Sequence, residues 1–552
     1  MNETLFSKEL RILFFYFVIL TPFKFNAQVQ STKNDSSENK KTDPWYFKDV
    51  TKDSVFGISL TEANQVLTQK KLKGREIVIA VIDTEIDINH EDLKDQIWHN
   101  HKEIPDNSMD DDDNGYIDDI DGWNFLGNTN GENIIHSNFE ITRIVRKYQE
   151  KFEGLNIDQI KVPDTSNFKL YKKAKKAYDD QLKEAKFNYD YVKNIDLKYK
   201  TARKELTAYF PDNDFSKEHL DSIKIDTTDS NLKKHYLAVK QMIDYKVTQN
   251  QIDQTLSIYK NYLDFYLNLE YDERILLSED NKKNSNYGNP NVSGNTDKLY
   301  HGTLVSGVLA ANRNNQLGIK GIYDKIRIMP LCISSNGDEY DQDIALAIRY
   351  AVDNGAKVIN MSSSKDVSMY KKMVYNALQY AYENDVLFVR SVGNDNLDLD
   401  QEQNRCYPEK NKNYDYNKIF ISVGGSTEGI NKSLKASFSS YGKNSVDIFA
   451  PSVNIKTTSI NNEYTMDEGN SMAAPIVSGI AALLWGYYPN LSAVEIKDII
   501  MKSGRDYKNS VEIEQQDGTK IQIPFSELSK SGKVVNAYNA LLLADKLSKS
   551  KN

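Results

Sequence analysis

Four short segments carry residues able to perform acyl transfer. Asp83 closes the apolar run IVIAVID (77–83), His301 opens HGTLVSG, Asn394 lies in SVGND, and Ser471 lies in EGNSMAAP just ahead of Pro475. A serine hydroxyl is a weak nucleophile until a base takes its proton, and an imidazole does this best when a carboxylate fixes its tautomer. The negative oxygen of a tetrahedral intermediate then needs hydrogen-bond donors. The Asn394 side-chain amide and the Ser471 backbone amide are the candidates, the second at a helix start whose dipole favours an anion. Singly, each residue has a plainer reading: a strand-end Asp as a turn or cap, a lone His as a surface residue, a Ser before small residues as an N-cap. Together, in the order Asp, His, Asn, Ser, they point to one site.

A second group points to a cation. In DDDDNGYIDDID (110–121), oxygen donors fall at positions one, three, five, nine and twelve: Asp110, Asp112, Asn114, Asp118 and Asp121. Gly115 falls at position six, and the Tyr116 carbonyl is available at seven. That is the spacing of a calcium loop, in which a hard cation takes six to eight oxygens and glycine permits the sharp turn. A structural Ca²⁺ site is expected here, and a solvated acidic turn is the alternative.

These residues need elements to position them. From Ile77 onward, short apolar runs alternate with longer amphipathic stretches. Strands are predicted at 77–83, 326–333, 357–362, 385–392 and 419–425, and helices at 302–313, 341–354, 370–384, 472–487 and 492–502. The alternation predicts an α/β fold, a three-layer α/β/α sandwich around a mostly parallel sheet. In such sheets functional groups gather at the carboxyl ends of strands and the amino ends of helices, where these candidates fall. Residues 127–290 break the pattern. Tyr171, Tyr178, Ala185, Val192 and Tyr199 recur at intervals of seven, giving a long helix one apolar face, and a second such stretch runs over 232–269. An antiparallel helical pair is expected, since so long a helix needs a partner to bury its face. This helical insertion is either a packed structural element or an arm that guides substrate or binds a partner.

Taken together, the segments resemble those of the subtilisin-like serine peptidases, the subtilases. The resemblance extends through VINMS (358–362), ASFSSYG (436–442), VDIFAPSVNI (446–455) and GNSMAAPIVSGIAALL (469–484), and covers residues 54–123 and 291–545. It implies a subtilisin-like fold, a triad of Asp83, His301 and Ser471, and Asn394 as oxyanion donor. Several positions depart from the family pattern. Glu85 stands where Gly is usual, Asn470 replaces Thr before the serine, Leu304 replaces the second histidine of the HGTHV segment, and the usually glycine-rich edge reads Ser363-Ser364-Lys365. The helical insertion separates Asp83 from His301 by far more residues than is usual in the family.

Composition sets the outer limits. The 552 residues carry 70 Lys and Arg against 79 Asp and Glu, a net charge of −9 that gives no electrostatic case for a nucleic-acid partner. Two cysteines, Cys332 and Cys406, exclude both a disulfide-stapled scaffold and a cysteine-built zinc module. At the N-terminus, Lys8 and Arg11 precede the apolar run Ile12 to Leu20, and the chain turns polar after Ala27, which is the grammar of a cleaved signal peptide. The run is too short to span a bilayer, which takes about 20 residues, so no integral membrane segment is expected after cleavage. The expected organisation is a signal peptide (1–27), a flexible leader (28–53), a catalytic domain in two parts (54–126 and 291–545), the insertion (127–290) and a polar tail (546–552). The expected protein is an exported serine endopeptidase, secreted, periplasmic or on the cell surface, acting on protein or peptide substrates. The alternative is a non-catalytic scaffold of the same fold that binds a partner through the insertion.

Overall fold

A computed structural model describes residues 43–210, 214–222, 228–277 and 287–551. The signal peptide read over 1–27, and the leader as far as 42, lie outside the described residues. The chain divides into two units, one of residues Ile141–Asp272 and the other of the described residues before and after it.

The smaller unit is helical, and its elements follow the apolar stripe. After α1 (Glu140–Phe152) comes α2 (Thr165–Leu206), a helix of 42 residues that buries Tyr171, Tyr178, Ala185, Val192 and Tyr199. The second stretch is not one helix but two, α3 (Ser230–Asp244) and α4 (Gln249–Asn261). The break has a local cause. Lys246 takes a left-handed φ of 55°, and Thr248 starts the next helix with a capping box to Gln251. The sequence T-x-x-Q at 248–251 carries that signal. Val192, Ile195 and Tyr199 of α2 share a buried cluster with Val239 and Met242 of α3 and Ile252 of α4, so the long helix finds its partner within the unit.

In the larger unit each predicted strand forms, because each is a run of buried residues broken only at Val78 and Arg327, which are half-buried. The strands are β1 (Ile77–Asp83), β2 (Trp123–Asn124), β3 (Ile326–Cys332), β4 (Val358–Met361), β5 (Leu387–Ser391), β6 (Phe420–Ser426) and β7 (Ile448–Pro451). A hairpin of β8 (Ile455–Thr458) and β9 (Tyr464–Asp467) follows, then the short β10 (Arg505–Asp506) and β11 (Lys533–Val534). Nine strands among the described residues form one sheet in the order β10-β11-β7-β6-β5-β4-β1-β3-β2, parallel except for the β10–β11 pair. The helices are α5 (His301–Ala310), α6 (Asp341–Asp353), α7 (Lys371–Glu383), α8 (Asn470–Tyr487), α9 (Ala493–Ser503) and α10 (Ala537–Lys551). The connection that carries α5 runs from β2 to β3 and the one that carries α6 runs from β3 to β4; α5 packs against α8, and α6 packs against α7. Helix α8 packs beside α5 and across β4 to β7, and is buried almost all round, as an apolar helix in a core must be.

Three boundaries differ from the composition-based reading. Residues 44–53 are folded and not leader: Tyr46 and Phe47 are fully buried, and Asp49 caps a short helix. Residues 127–140 and 287–290 belong to the larger unit. The region read as a polar tail lies in α10, which runs to Lys551. The chain that leaves β2 and the chain that returns are paired, Asn124 and Asn289 exchanging backbone hydrogen bonds of 2.9 and 3.1 Å. Cys332 and Cys406 are both buried and unbonded.

Helix α5 touches β8 so closely that a side chain at Gly307 has no room. A Cβ there would lie 2.2 Å from Thr458 Oγ1 and 2.6 Å from Thr458 N. Gly307→Ala gains up to about 1 kcal/mol of intrinsic helix propensity. The backbone shift it forces costs about 1–3 kcal/mol, so the expected outcome is a lowered Tm. A raised Tm in thermal denaturation would refute this packing.

Candidate active site

Asp83 ends β1, the strand flanked by β3 on one side and β4 on the other, which is where strand order reverses and a crevice opens in a parallel sheet. His301 is the first residue of α5, and its Nδ1 lies 2.7 Å from Asp83 Oδ1 across 218 residues of sequence. A carboxylate only accepts, so Nδ1 carries the proton and Nε2 is the accepting nitrogen of the neutral ring. Asp83 is 1% exposed, and the same Oδ1 accepts the Thr84 amide at 2.7 Å. Its Oδ2 is buried with no hydrogen-bond partner among the described residues. Thr84 adds a second tie, its Oγ1 accepting the Gly302 amide at 2.8 Å.

Ser471 is the second residue of α8. Its hydroxyl donates to the Ser362 carbonyl at 3.0 Å, and the Ser362 hydroxyl donates back to the Ser471 carbonyl at 2.9 Å. This reciprocal pair sets the start of α8 on the carboxyl end of β4. Asn394 follows β5. Its Oδ1 accepts the Asn470 amide at 2.9 Å, which turns Nδ2 the other way, and the Asn470 side chain donates to the Gly393 carbonyl. Gly469 serves as a ruler for the space in front. A Cβ built there would sit 3.3 Å from Asn394 Nδ2 and 3.8 Å from Ser471 N, so both donors border one small space. Ser362 and Asn470 were not singled out as site residues from sequence. The NMS segment and the residue before the serine were the signals that could have identified them.

Charge around the imidazole is one-sided. Burial by itself would hold the His301 pKa down, but the Asp83 charge and hydrogen bond, with the charges of Asp467 and Glu339, raise it above the ordinary 6.5. Asp467 on β9 is itself raised by burial, against the pull of His301. Glu339 is raised by burial and by the neighbouring Asp338 charge.

The acidic loop folds differently from its linear spacing. Asp110 and Asp112 each bring an oxygen within 4.8 Å of one another and of Glu103, a residue outside the motif. Asn114 Oδ1 accepts the Tyr116 amide at 2.7 Å. Asp118 accepts the amides of Asn107 and Ser108, and Asp121 meets His99 Nδ1 at 2.5 Å. Asp119, absent from the predicted donors, anchors the loop from within. It accepts from Asn100, Asn114 and Tyr350, and burial pushes its pKa up to about 6. Three converging carboxylates suit a hard divalent cation, which prefers oxygen.

Several known proteases are similar to this chain in sequence. The chain is 34% identical over 223 residues to the cell wall-associated protease of Bacillus subtilis, covering 40% of this chain and 22% of that protein. It is 38% identical over 185 residues to the thermophilic serine proteinase of Bacillus sp. strain AK1, covering 33% of this chain and 42% of that one. It is 32% identical over 223 residues to subtilisin DY of Bacillus licheniformis, covering 40% of this chain and 76% of that one. The chain thus spans less than half the length of the first two of these relatives. Among solved structures, a protease from Pseudoalteromonas arctica matches at TM-score 0.36 and 25% identity, over 45% of this chain and 71% of that one. The model of the subtilase family (peptidase S8) matches residues 74–519, which include Asp83, His301, Asn394 and Ser471, and the chain belongs to that family.

Proposed function

We propose that this protein is an exported serine endopeptidase that hydrolyses peptide bonds in proteins. The observation that carries the reading is the 2.7 Å contact of Asp83 with His301 across 218 residues, in a chain of the subtilase family. Ser471 is the nucleophile. For attack its hydroxyl turns from the Ser362 carbonyl to His301 Nε2, which takes the proton as general base and returns it to the leaving amine as general acid. Asp83 holds the tautomer and stabilises the imidazolium. Asn394 Nδ2 and the Ser471 amide receive the oxyanion in the space they border. Export rests on the Lys8 to Ala27 segment. No described helix is long and apolar enough to cross a membrane.

A fluorophosphonate probe tests the nucleophile. Wild-type protein should be labelled and Ser471→Ala protein should not, with kcat falling on the order of 10⁶-fold, the loss established for the nucleophile of subtilisin. Folded wild type that takes no label would favour the partner-binding scaffold.

The pH dependence follows from the sign of the His301 shift. The base must be neutral, and a raised pKa keeps it protonated to higher pH, so the acidic limb of kcat/KM should have its midpoint above 6.5. Asp467→Asn removes a charge that favours the imidazolium, and should move that limb to lower pH. An unmoved limb in Asp467→Asn would exclude Asp467 as a contributor.

We also propose that Glu103, Asp110 and Asp112 hold a structural Ca²⁺, which would tie the 110–121 loop to the segment before it. An ion bound only by the folded state stabilises it by mass action. Chelator should therefore lower the Tm of wild type and leave the Tm of Glu103→Ala nearly unchanged. Equal melting curves for wild type with and without chelator would refute the site.

A further inference from the structure

Glu85, two residues beyond Asp83, is 1% exposed and so lies inside the protein with its carboxylate. All the donors that reach it are neutral amides. Oε1 accepts from Asn133 Nδ2 at 2.8 Å, Asn295 Nδ2 at 3.1 Å and Asn124 Nδ2 at 3.3 Å, and Oε2 accepts from the Asn295 backbone amide. Burying a carboxylate is costly unless its lone pairs are filled, and four amide donors fill them. The donors come from two stretches that the insertion separates in sequence, the chain leaving β2 and the chain leading into α5.

Asn295 is the link to His301. Its carbonyl accepts the amides of Lys298 and Leu299, both at 2.9 Å, forming the turn that delivers Tyr300 and His301. Glu85 stands within a row of contacts between residues 83–87 and residues 292–303: Asp83 with His301, Thr84 with Gly302, the Ile86 amide with the Val292 carbonyl at 3.0 Å, and the Asp87 amide with Thr303 Oγ1 at 2.9 Å. Among these residues only Glu85 also holds Asn124 and Asn133, on the outgoing side. A glycine in its place would leave three asparagine side chains and one backbone amide without this acceptor.

We propose that Glu85 is a positioning residue that fixes the turn before α5, and through it the distance of His301 from Asp83. The inference rests on the peptidase reading of the site for its kinetic part only. The charged groups facing His301 are Asp83, Asp467 and Glu339, and all three stay in place in the variants.

The test compares Glu85→Gly and Glu85→Gln with wild type. In Ser471→Ala protein, NMR reads the His301 Nδ1–H proton, which the bond to Asp83 shields from exchange with water. That resonance should be present with Glu85, lost to exchange in Glu85→Gly, and weakened in Glu85→Gln, which keeps the shape and one acceptor. In protein with Ser471 intact, Glu85→Gly should lose about tenfold to a hundredfold in kcat, the scale of a small misplacement of catalytic groups, with KM nearly unchanged. A folded Glu85→Gly protein that keeps the resonance and the wild-type kcat would overturn the proposal. If Glu85→Gly does not fold, Glu85→Gln alone decides, and an unchanged resonance and kcat there overturn it equally. Because the resonance is read without Ser471, an inactive wild type would count against the peptidase reading and leave this inference standing on its own result.

Discussion

The backbone pair between Asn124 and Asn289 is the closure on which the site depends. Asp83 and His301 are contributed by stretches 218 residues apart, and holding the ends of an unstructured loop of that length together would be entropically unfavourable throughout. The cost grows only logarithmically, about 0.6 kcal/mol for each doubling of length. It falls further when the intervening chain has its own core, and the cluster joining α2, α3 and α4 supplies one. The ends of the insertion are then fixed by the larger unit, and β1 can present Asp83 at the sheet's reversal point as it would without an insertion.

Around that closure the site is assembled from fixed backbone. Asp83, Ser362 and Asn394 follow or end β1, β4 and β5, while His301 and Ser471 open α5 and α8. Each of these groups therefore lies in an element buried in the core or within three residues of one. Its position is governed by sheet register and helix packing more than by loop conformation. The carboxylates of Asp467 and Glu339 act on the same imidazole through space, and with Asp83 they set its protonation equilibrium. The carboxylates that surround the imidazole thus bias it toward its protonated form against the effect of burial.

Much of this was legible in the sequence, for identifiable reasons. The strands could be read because parallel strands buried on both faces leave unbroken apolar runs, and IVIAVID ends on the carboxylate it delivers. The long helix could be read from a stripe recurring at intervals of seven. The division of 232–269 was missed because both halves are apolar at helical spacing, and the break rests on one left-handed residue and a capping box. The cation loop differs in detail from its linear spacing for a related reason. Spacing fixes which residues are near in sequence, but Asp118 and Asp121 turned to other partners, and Glu103 came from outside the motif. The aromatic triplet at 45–47 was hidden by the polar residues around it.

The departures from the family pattern are the strongest guide to what this chain has done with the fold. A scaffold that had lost its chemistry would be free to accumulate polar residues at the site without supporting partners. Here Glu85 receives four amide donors, and the Asn470 side chain donates to the Gly393 carbonyl while its Oδ1 is buried with no hydrogen-bond partner among the described residues. Lys365, 1% exposed on the edge that is usually glycine-rich, lies 2.9 Å from Asp341, donates to the Glu339 carbonyl at 2.7 Å and pairs its backbone with Tyr407. Removing one partner of the buried Lys365–Asp341 pair would leave an uncompensated charge and typically costs about 3–5 kcal/mol. Glu85 contacts the stretch leading to His301, the Asn470 side chain contacts Gly393 beside Asn394, and Lys365 meets the carbonyl of Glu339, whose charge acts on the His301 imidazole, so each of these three replaced side chains sits one step from a residue of the site.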